Sequence, residues 1–305
     1  MQKSLRVGVS LASTHDVADP RTGAAWIIER CRAAREAGLA VLSIGDHHAV
    51  PVPYFQNTPM LGRLLAEWND RPAGCLFLVT LWHPVLMAEQ IATLAAIARG
   101  PFIVQTGLGG DRHQFEAMGV DIGLRPSLFE EKVRVVRALL AGETVSSPAL
   151  GLSGAATALV PPEPVEWWIG ASAPAALDRA ARLGDGLYVD AGTTPEQAGG
   201  QLALYLDRCA EQDRRPGRLA VREDVFVSED AKLAREVGER IIAAGYRGGW
   251  SAEAVTYGTP EQVADKFGRY RELGFTDVIT RQMTVPQELA LESIRLLGQV
   301  DELVR

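Results

Sequence analysis

The chain has 305 residues and carries 38 acidic against 31 basic side chains, a net charge of −7. That balance gives no electrostatic reason to expect nucleic acid or an anionic membrane as partner. Hydrophobic residues are 47% of the chain and charged ones 23%, enough to bury a large core as one α/β barrel or as two smaller domains.

From the start the sequence runs straight into a strand-like segment at 5–11, with no secretory signal and no apolar run of bilayer length. A helix over 23–37, stopped by Gly38, precedes a second apolar run that ends in Gly45-Asp46-His47-His48. The following loop, 49–58, is proline-rich and contains Tyr54 and Phe55, too apolar for a plain solvent loop. A third strand is expected at 76–81. His83-Pro84 opens a helix to 97, with proline at the first turn. A fourth strand, 101–106, leads to a polar loop. Ser127 then begins a helix to 140, with Glu130 as its capping-box partner. Residues 143–166 form the longest irregular stretch, read as a functional excursion or a small hairpin. Strands follow at 167–171, 186–190, 219–227 and 276–280, separated by helices at 174–183, 195–213, 230–244 and 260–273, and a last helix runs over 287–304.

Four junctions repeat one device, a helix followed by Gly38, Gly100, Gly184 or Gly274 and then an apolar strand. Short helix-to-strand loops set against longer strand-to-helix loops are the grammar of parallel α/β folds. Eight strands in alternation with about eight helices predict a (β/α)8 TIM barrel, one domain over residues 1–305. A doubly wound sheet would carry a glycine-rich first turn, and Ala12-Ser13-Thr14-His15-Asp16 is not one.

In a barrel the site lies at the carboxyl ends of the strands. The groups expected there are Ser10 and Ser13, then Asp46, His47 and His48, then Thr80 and His83. Thr106 with Gly107, Gly109 and Gly110 follows, then Ser172, Asp190, Thr280 and Arg281. The set is thin in carboxylates and lacks a nucleophile beside a base, which suits a site that binds a cofactor and lets the cofactor react. Asp46 and His47 read as acid/base or hydrogen-bonding groups near such a cofactor; the plainer reading is an aspartate that caps the loop. Gly170-Ala171-Ser172-Ala173-Pro174 leaves backbone N–H groups open at a helix start, a place for phosphate or for close packing. A metal site would need further ligands on other strands, and none is expected. The three cysteines, Cys31, Cys75 and Cys209, have no metal or redox spacing and read as reduced thiols of a cytoplasmic protein.

Several runs together resemble the bacterial luciferase-like family of flavin and deazaflavin oxidoreductases. They are His83-Pro84-Val85-Leu86-Met87-Ala88-Glu89-Gln90, Gln114-Phe115-Glu116-Ala117-Met118-Gly119, Trp168-Ile169-Gly170-Ala171-Ser172, Ala180 to Gly186, and Tyr257-Gly258-Thr259-Pro260-Glu261-Gln262-Val263. The resemblance implies a barrel that holds coenzyme F420 or FMN at the strand carboxyl ends, with a slight lean to coenzyme F420 because the chain is compact. It implies His47 over the ring with Asp46 beside it, and Gly74 and Cys75 at a backbone bulge behind the ring, often with a cis peptide. It places Thr106 and Gly107 at the ring edge, and Arg125 and Ser172 on phosphate, with Gly170, Ala171 and Ala173 around them. Leu108 stands where some deazaflavin dehydrogenases carry a glutamate proton donor. The expected activity is reduction or monooxygenation of a small organic substrate, with a separate flavin or deazaflavin reductase as partner and a homodimer as assembly. The loop 49–55 and the excursion 143–166 are expected to line the substrate pocket.

Overall fold

The computed structural model describes residues 4–15 and 17–305; Asp16 of the expected first turn and residues 1–3 lie outside them. In chain order the elements begin with β1 (Arg6–Leu11), α1 (Pro20–Glu36), β2 (Leu42–Ile44), α2 (Asn57–Leu64), β3 (Ala73–Leu78) and α3 (Pro84–Ile97). Then come β4 (Phe102–Gly107), α4 (Arg112–Ala117), α5 (Arg125–Leu140), β5 (Val145–Ser147), β6 (Leu152–Ala155), β7 (Glu166–Gly170) and α6 (Pro174–Leu183). The last third holds β8 (Gly186–Val189), α7 (Pro195–Glu211), β9 (Leu219–Val227), α8 (Ala231–Ala243), β10 (Thr256–Gly258), α9 (Pro260–Leu273), β11 (Asp277–Gln282) and α10 (Gln287–Val304).

Strands β1, β2, β3, β4, β7, β8, β9 and β11 pair in parallel in that order, and β11 returns to β1. The result is the closed eight-stranded (β/α)8 barrel that the alternation of elements predicts. Strand alternation divides the apolar side chains into two sets. One set, including Val7, Val9, Cys75, Phe77, Val104 and Ile169, meets the helices. The other, Val41, Ile103, Trp168, Tyr188, Ala220 and Ile279, fills the floor of the lumen. Above that floor the inward positions become polar, and this is the end at which the strands stop.

Four local readings differ from the sequence expectation. Strand β3 begins at Ala73 rather than Leu76, and residues 79–81 form a 3-10 turn; the small residues Ala73-Gly74-Cys75 hid the first half of a buried strand. Helix α5 begins at Arg125, so Ser127 is not its cap. Its hydroxyl donates to the Leu124 carbonyl, and Glu130 binds Arg179 and Arg182 of α6 instead. Of the four junction glycines only Gly38 and Gly274 adopt positive φ. A side chain on Gly100 would strike the Asp70 carbonyl, and one on Gly184 would strike Ile169.

The fourth difference concerns the mouth. Residues 143–166 do form a hairpin, β5 against β6. They join the end of α5 to the start of β7, however, so they lie at the amino end of the barrel and along the flank of α5, where Ser147 meets Glu131. Pro162 and Glu163 line a shallow groove with Ala98, Arg99 and Phe102 at the start of β4. The expected role of 143–166 in the pocket is therefore corrected. The segment that covers the carboxyl end is 228–258, inserted between β9 and α9. It contributes β10, which extends the sheet beyond β9, and it brings Tyr246, Arg247 and Trp250 over the rim.

Candidate active site

Strand β2 is short, and the chain leaves the sheet at Gly45. Asp46 is buried, and its Oδ2 accepts from the Leu78 backbone N–H at 2.7 Å and from the Trp82 indole N–H at 2.8 Å. Leu78 departs from strand geometry at φ −77°, ψ 76°, so Asp46 fastens the end of β2 to the place where β3 breaks. Its Oδ1 lies 3.1 Å from His48 Nε2 without the alignment of a hydrogen bond. The aspartate is thus a clamp between strands.

His47 is the exposed member of the trio. Its ring stands edge-on to Tyr54 at 5.6 Å, and Nδ1 lies 3.0 Å from Gln114 Oε1. That oxygen also accepts from the His48 backbone N–H at 3.2 Å, and the Gln114 amide nitrogen donates to Asp111. These bonds fix the amide's orientation, so Nδ1 must carry a proton and Nε2 is the nitrogen left for a ligand. Gln114 is held on α4, a short helix capped by Asp111. It sat inside a quoted motif with no role assigned to it, because an amide carries no charge by which to notice it.

Buried polar atoms without a partner among the described residues include Ser43 Oγ on β2, Gln105 Nε2 on β4, Arg222 Nε on β9 and His15 Nε2 in the loop after β1. Burial, with Arg30 nearby, pushes His15 down to about 4, so its ring is neutral in the working range. Tyr54 is held above the usual tyrosine range by burial. Opposite, β9 and β11 present Arg222, Asp224 and Arg281. The sequence reading found little on β9, because Arg222-Glu223-Asp224 looks like a solvated stretch. In the structure Asp224 is fully buried. It accepts from Arg222 at 3.1 Å, from Arg247 at 2.9 Å and from the Tyr246 hydroxyl at 2.7 Å. Burial would lift its pKa, but the three guanidiniums of Arg222, Arg247 and Arg281 outweigh that and hold it below the usual carboxylate range. Glu223 points outward into a separate network with Tyr270, Thr256 and Lys266.

The other expected residues fall into two groups. Arg125, at the start of α5, and Ser172 and Ala173, before the start of α6, reach the carboxyl rim together, since the Glu130–Arg179 pair holds the two helices side by side. The Ala171 N–H is already donated to the Tyr188 carbonyl, and Gly170 is glycine because a side chain would strike the Thr106 carbonyl. Gly107 ends β4 at the rim. Cys75 and the Thr106 side chain do not face the lumen, whereas Gly74 is at an inward position in register with Ser43. Gly74 and Cys75 lie in the regular part of β3, with Cys75 buried toward the helices and Gly74 pressed on the Ile103 carbonyl. The break in β3 comes four residues later, at Leu78, and no cis peptide occurs among the described residues. Thr106 lies between the lumen-facing Gln105 and Gly107, and its hydroxyl contacts the Trp168 carbonyl. His83 is exposed ahead of α3. No group of three or more metal-ligating side chains occurs among the described residues, nor any helix long and apolar enough to cross a membrane.

With this geometry in hand, similarity to known proteins can be read. A coenzyme F420-dependent glucose-6-phosphate dehydrogenase of Beutenbergia cavernae is 26% identical over 85% of this chain and 88% of its own. An F420-dependent secondary alcohol dehydrogenase, solved with an F420–acetone adduct, superposes with a TM-score of 0.81 over 98% of this chain and 99% of its own, at 15% identity. The oxygenating constituent of the 3,6-diketocamphane monooxygenase of Pseudomonas putida, solved with FMN, does so with a TM-score of 0.78 over 98% of both chains, at 14% identity. The two structural likenesses establish the barrel. The sequence description of luciferase-like monooxygenases matches residues 5–277, nearly the whole chain, and the protein belongs to that family.

Proposed function

We propose that this protein is an oxidoreductase that takes reduced coenzyme F420 as cosubstrate and reduces an unsaturated group of a small organic molecule. The observation that carries this reading is the set of unpaired, buried polar atoms on β2, β4 and β9. Orphaned donors and acceptors in a lumen are costly unless a polar ligand completes them, and a planar ring with a hydrogen-bonding edge would do so. Ser43 and Gln105 would hold that edge. Arg125 and the open N–H groups of Ser172 and Ala173 would hold a phosphate, in the field of the α6 N-terminus. When bound, the cofactor would supply the hydride. His47 would hold a proton at Nε2 for the reacting atom, while Gln114 fixes its ring and Asp46 fixes the strand end on which it stands.

The dehydrogenase of Beutenbergia cavernae supports the deazaflavin. A second reading, an FMN-dependent monooxygenase served by a separate reductase, is favoured by Arg125 and Ser172, which would suit the single phosphate of FMN. Fluorescence titration with F420 and with FMN, each oxidised and reduced, separates the two. Saturable binding of the deazaflavin alone is expected. Binding of reduced FMN alone would move the assignment to the monooxygenase, and binding of neither would remove both.

A further inference from the structure

The lumen contains more positive charge than its own carboxylates complete. At the level where β11 and β9 face each other, Arg281 is in register with Asp224. Asp224 is already engaged by Arg222, Arg247 and Tyr246. Arg281 makes no hydrogen bond or ion pair with any described residue, and the guanidiniums of Arg222 and Arg247 act on it as like charges. Asp190, the next carboxylate, is mostly exposed, is 4.0 Å from Arg222 and accepts from the Ala191 N–H. Asp46 is committed to Leu78 and Trp82. Arg222 Nε is buried and unpartnered. Two guanidiniums therefore share one buried carboxylate, and the third has none. Arg281 is half-buried and has no carboxylate of its own, and an arginine fork is matched in shape by a planar oxyanion.

From this unpaired Arg281 beside the saturated Asp224, we infer that the substrate carries an anionic group, a carboxylate or similar oxyanion, which Arg281 and Arg222 receive. The inference rests on the proposed oxidoreductase reading and adds the class of substrate. The position separates this centre from the cofactor phosphate. Arg125 and Ser172 stand beyond β4 and β7, whereas Arg222 and Arg281 stand on β9 and β11, on the other side of the closed sheet. Tyr54 connects the two halves of the pocket: its ring touches His47, and its hydroxyl feels the charges of Arg281, Asp46 and Arg222. An acid seated on Arg281 thus directs the remainder of the molecule toward His47. Arg247 closes the centre from above. It is held at positive φ between Gly245 and Gly248, and its guanidinium lies over the Tyr246 and Trp250 rings.

The test uses the full chain without cofactor and reads binding by calorimetry and by tryptophan fluorescence. The probes are benzoate, its neutral counterpart benzyl alcohol, methanesulfonate and inorganic phosphate. Benzoate is expected to saturate the protein where benzyl alcohol does not. Arg281→Met is expected to weaken benzoate by at least about 30-fold, Arg281→Lys to recover part of the loss, and Arg125→Ala to leave it unchanged. F420 affinity in Arg281→Met should match the wild type. Tighter binding of methanesulfonate or phosphate than of benzoate, with the same dependence on Arg281, upholds the subsite and names the sulfonate or phosphate as its oxyanion. Equal binding of benzoate and benzyl alcohol, no anion binding at all, or benzoate binding lost with Arg125 rather than Arg281 would overturn the inference. So would a joint loss of benzoate and F420 in Arg281→Met, which would give the centre to the cofactor. Should the Met variant not fold, Arg281→Gln carries the same comparison. Failure of the wild type to bind F420 or FMN bears on the oxidoreductase reading alone, because the anion is measured without cofactor.

Discussion

At the scale of single residues the site rests on which nitrogen of His47 is free, and that is decided by Gln114. Its Oε1 accepts from two N–H groups at once, so it cannot exchange roles with its amide nitrogen without losing both. On the proposed reading, His47→Ala should lower kcat by about 10²- to 10⁴-fold and change the dissociation constant of the proposed cofactor, coenzyme F420, little. Gln114→Leu should lower kcat by about 10- to 100-fold, the cost of a misaligned group, again with cofactor affinity preserved. Gln114→Glu, which keeps an oxygen acceptor, should restore most of the rate. A Leu variant that loses only thermal stability, or a Glu variant no better than Leu, would remove the positioning role. Asp46-His47-His48 was legible in sequence because three ionisable groups interrupt an apolar run. Gln114 was not, since one neutral amide leaves no such mark. Asp224 was hidden by its neighbours: in isolation Arg222-Glu223-Asp224 reads as a wet edge. Its partners Tyr246 and Arg247 lie 22 and 23 residues away, and only the fold brings them over it.

At the scale of elements, the sequence predicted all eight barrel strands, β3 three residues late, because most are short apolar runs between a helix stop and a polar loop. It did not show which of the long connections faces the mouth. Length and proline content pointed to 143–166, yet a connection from helix to strand returns to the amino end of the barrel whatever its composition, and a connection from strand to helix stays at the carboxyl end. The second kind is 228–258, disguised in sequence by its helix α8. Replacing the hairpin tip Pro148–Gly151 with a two-residue Asn-Gly turn should leave F420 affinity and the substrate KM within about twofold. Trp250→Ala should act in the other sense. The Trp250 ring lies against Gly192, where any added side chain would meet it, and it supports Arg247 from one side. Its loss is expected to raise the substrate KM several-fold, with kcat and the melting temperature less affected. Equal effects from the two changes would mean that the hairpin, too, reaches the pocket.

For the whole molecule, the decisive event is closure of the sheet where the first strand meets the last. Arg6 donates to Asp277 across the seam at 2.6 Å, and four register pairs join β1 to β11. Closure leaves one donor over. The carbonyl of Val7 accepts from Ala40 and the N–H of Val9 reaches the Val41 carbonyl, but the Leu39 carbonyl, which would continue the ladder, is taken by Arg71. The Val7 N–H therefore goes to Asp301 Oδ1 at 2.9 Å, on the last helix, α10. A residue near the chain's end thus completes its first strand. Asp301→Ala leaves a buried N–H unsatisfied and should cost about 1–3 kcal/mol; Asp301→Asn keeps the acceptor and should cost less. The check is denaturant unfolding followed both by tryptophan fluorescence and by far-ultraviolet circular dichroism. If closure is the cooperative step, the midpoint falls in both signals together and the slope is preserved. Separate transitions in the Ala variant would mean that the barrel can open at this seam while its other side stays folded. An Asn variant as damaged as Ala would mean that the charge, with Arg305 beside it, matters more than the hydrogen bond to β1.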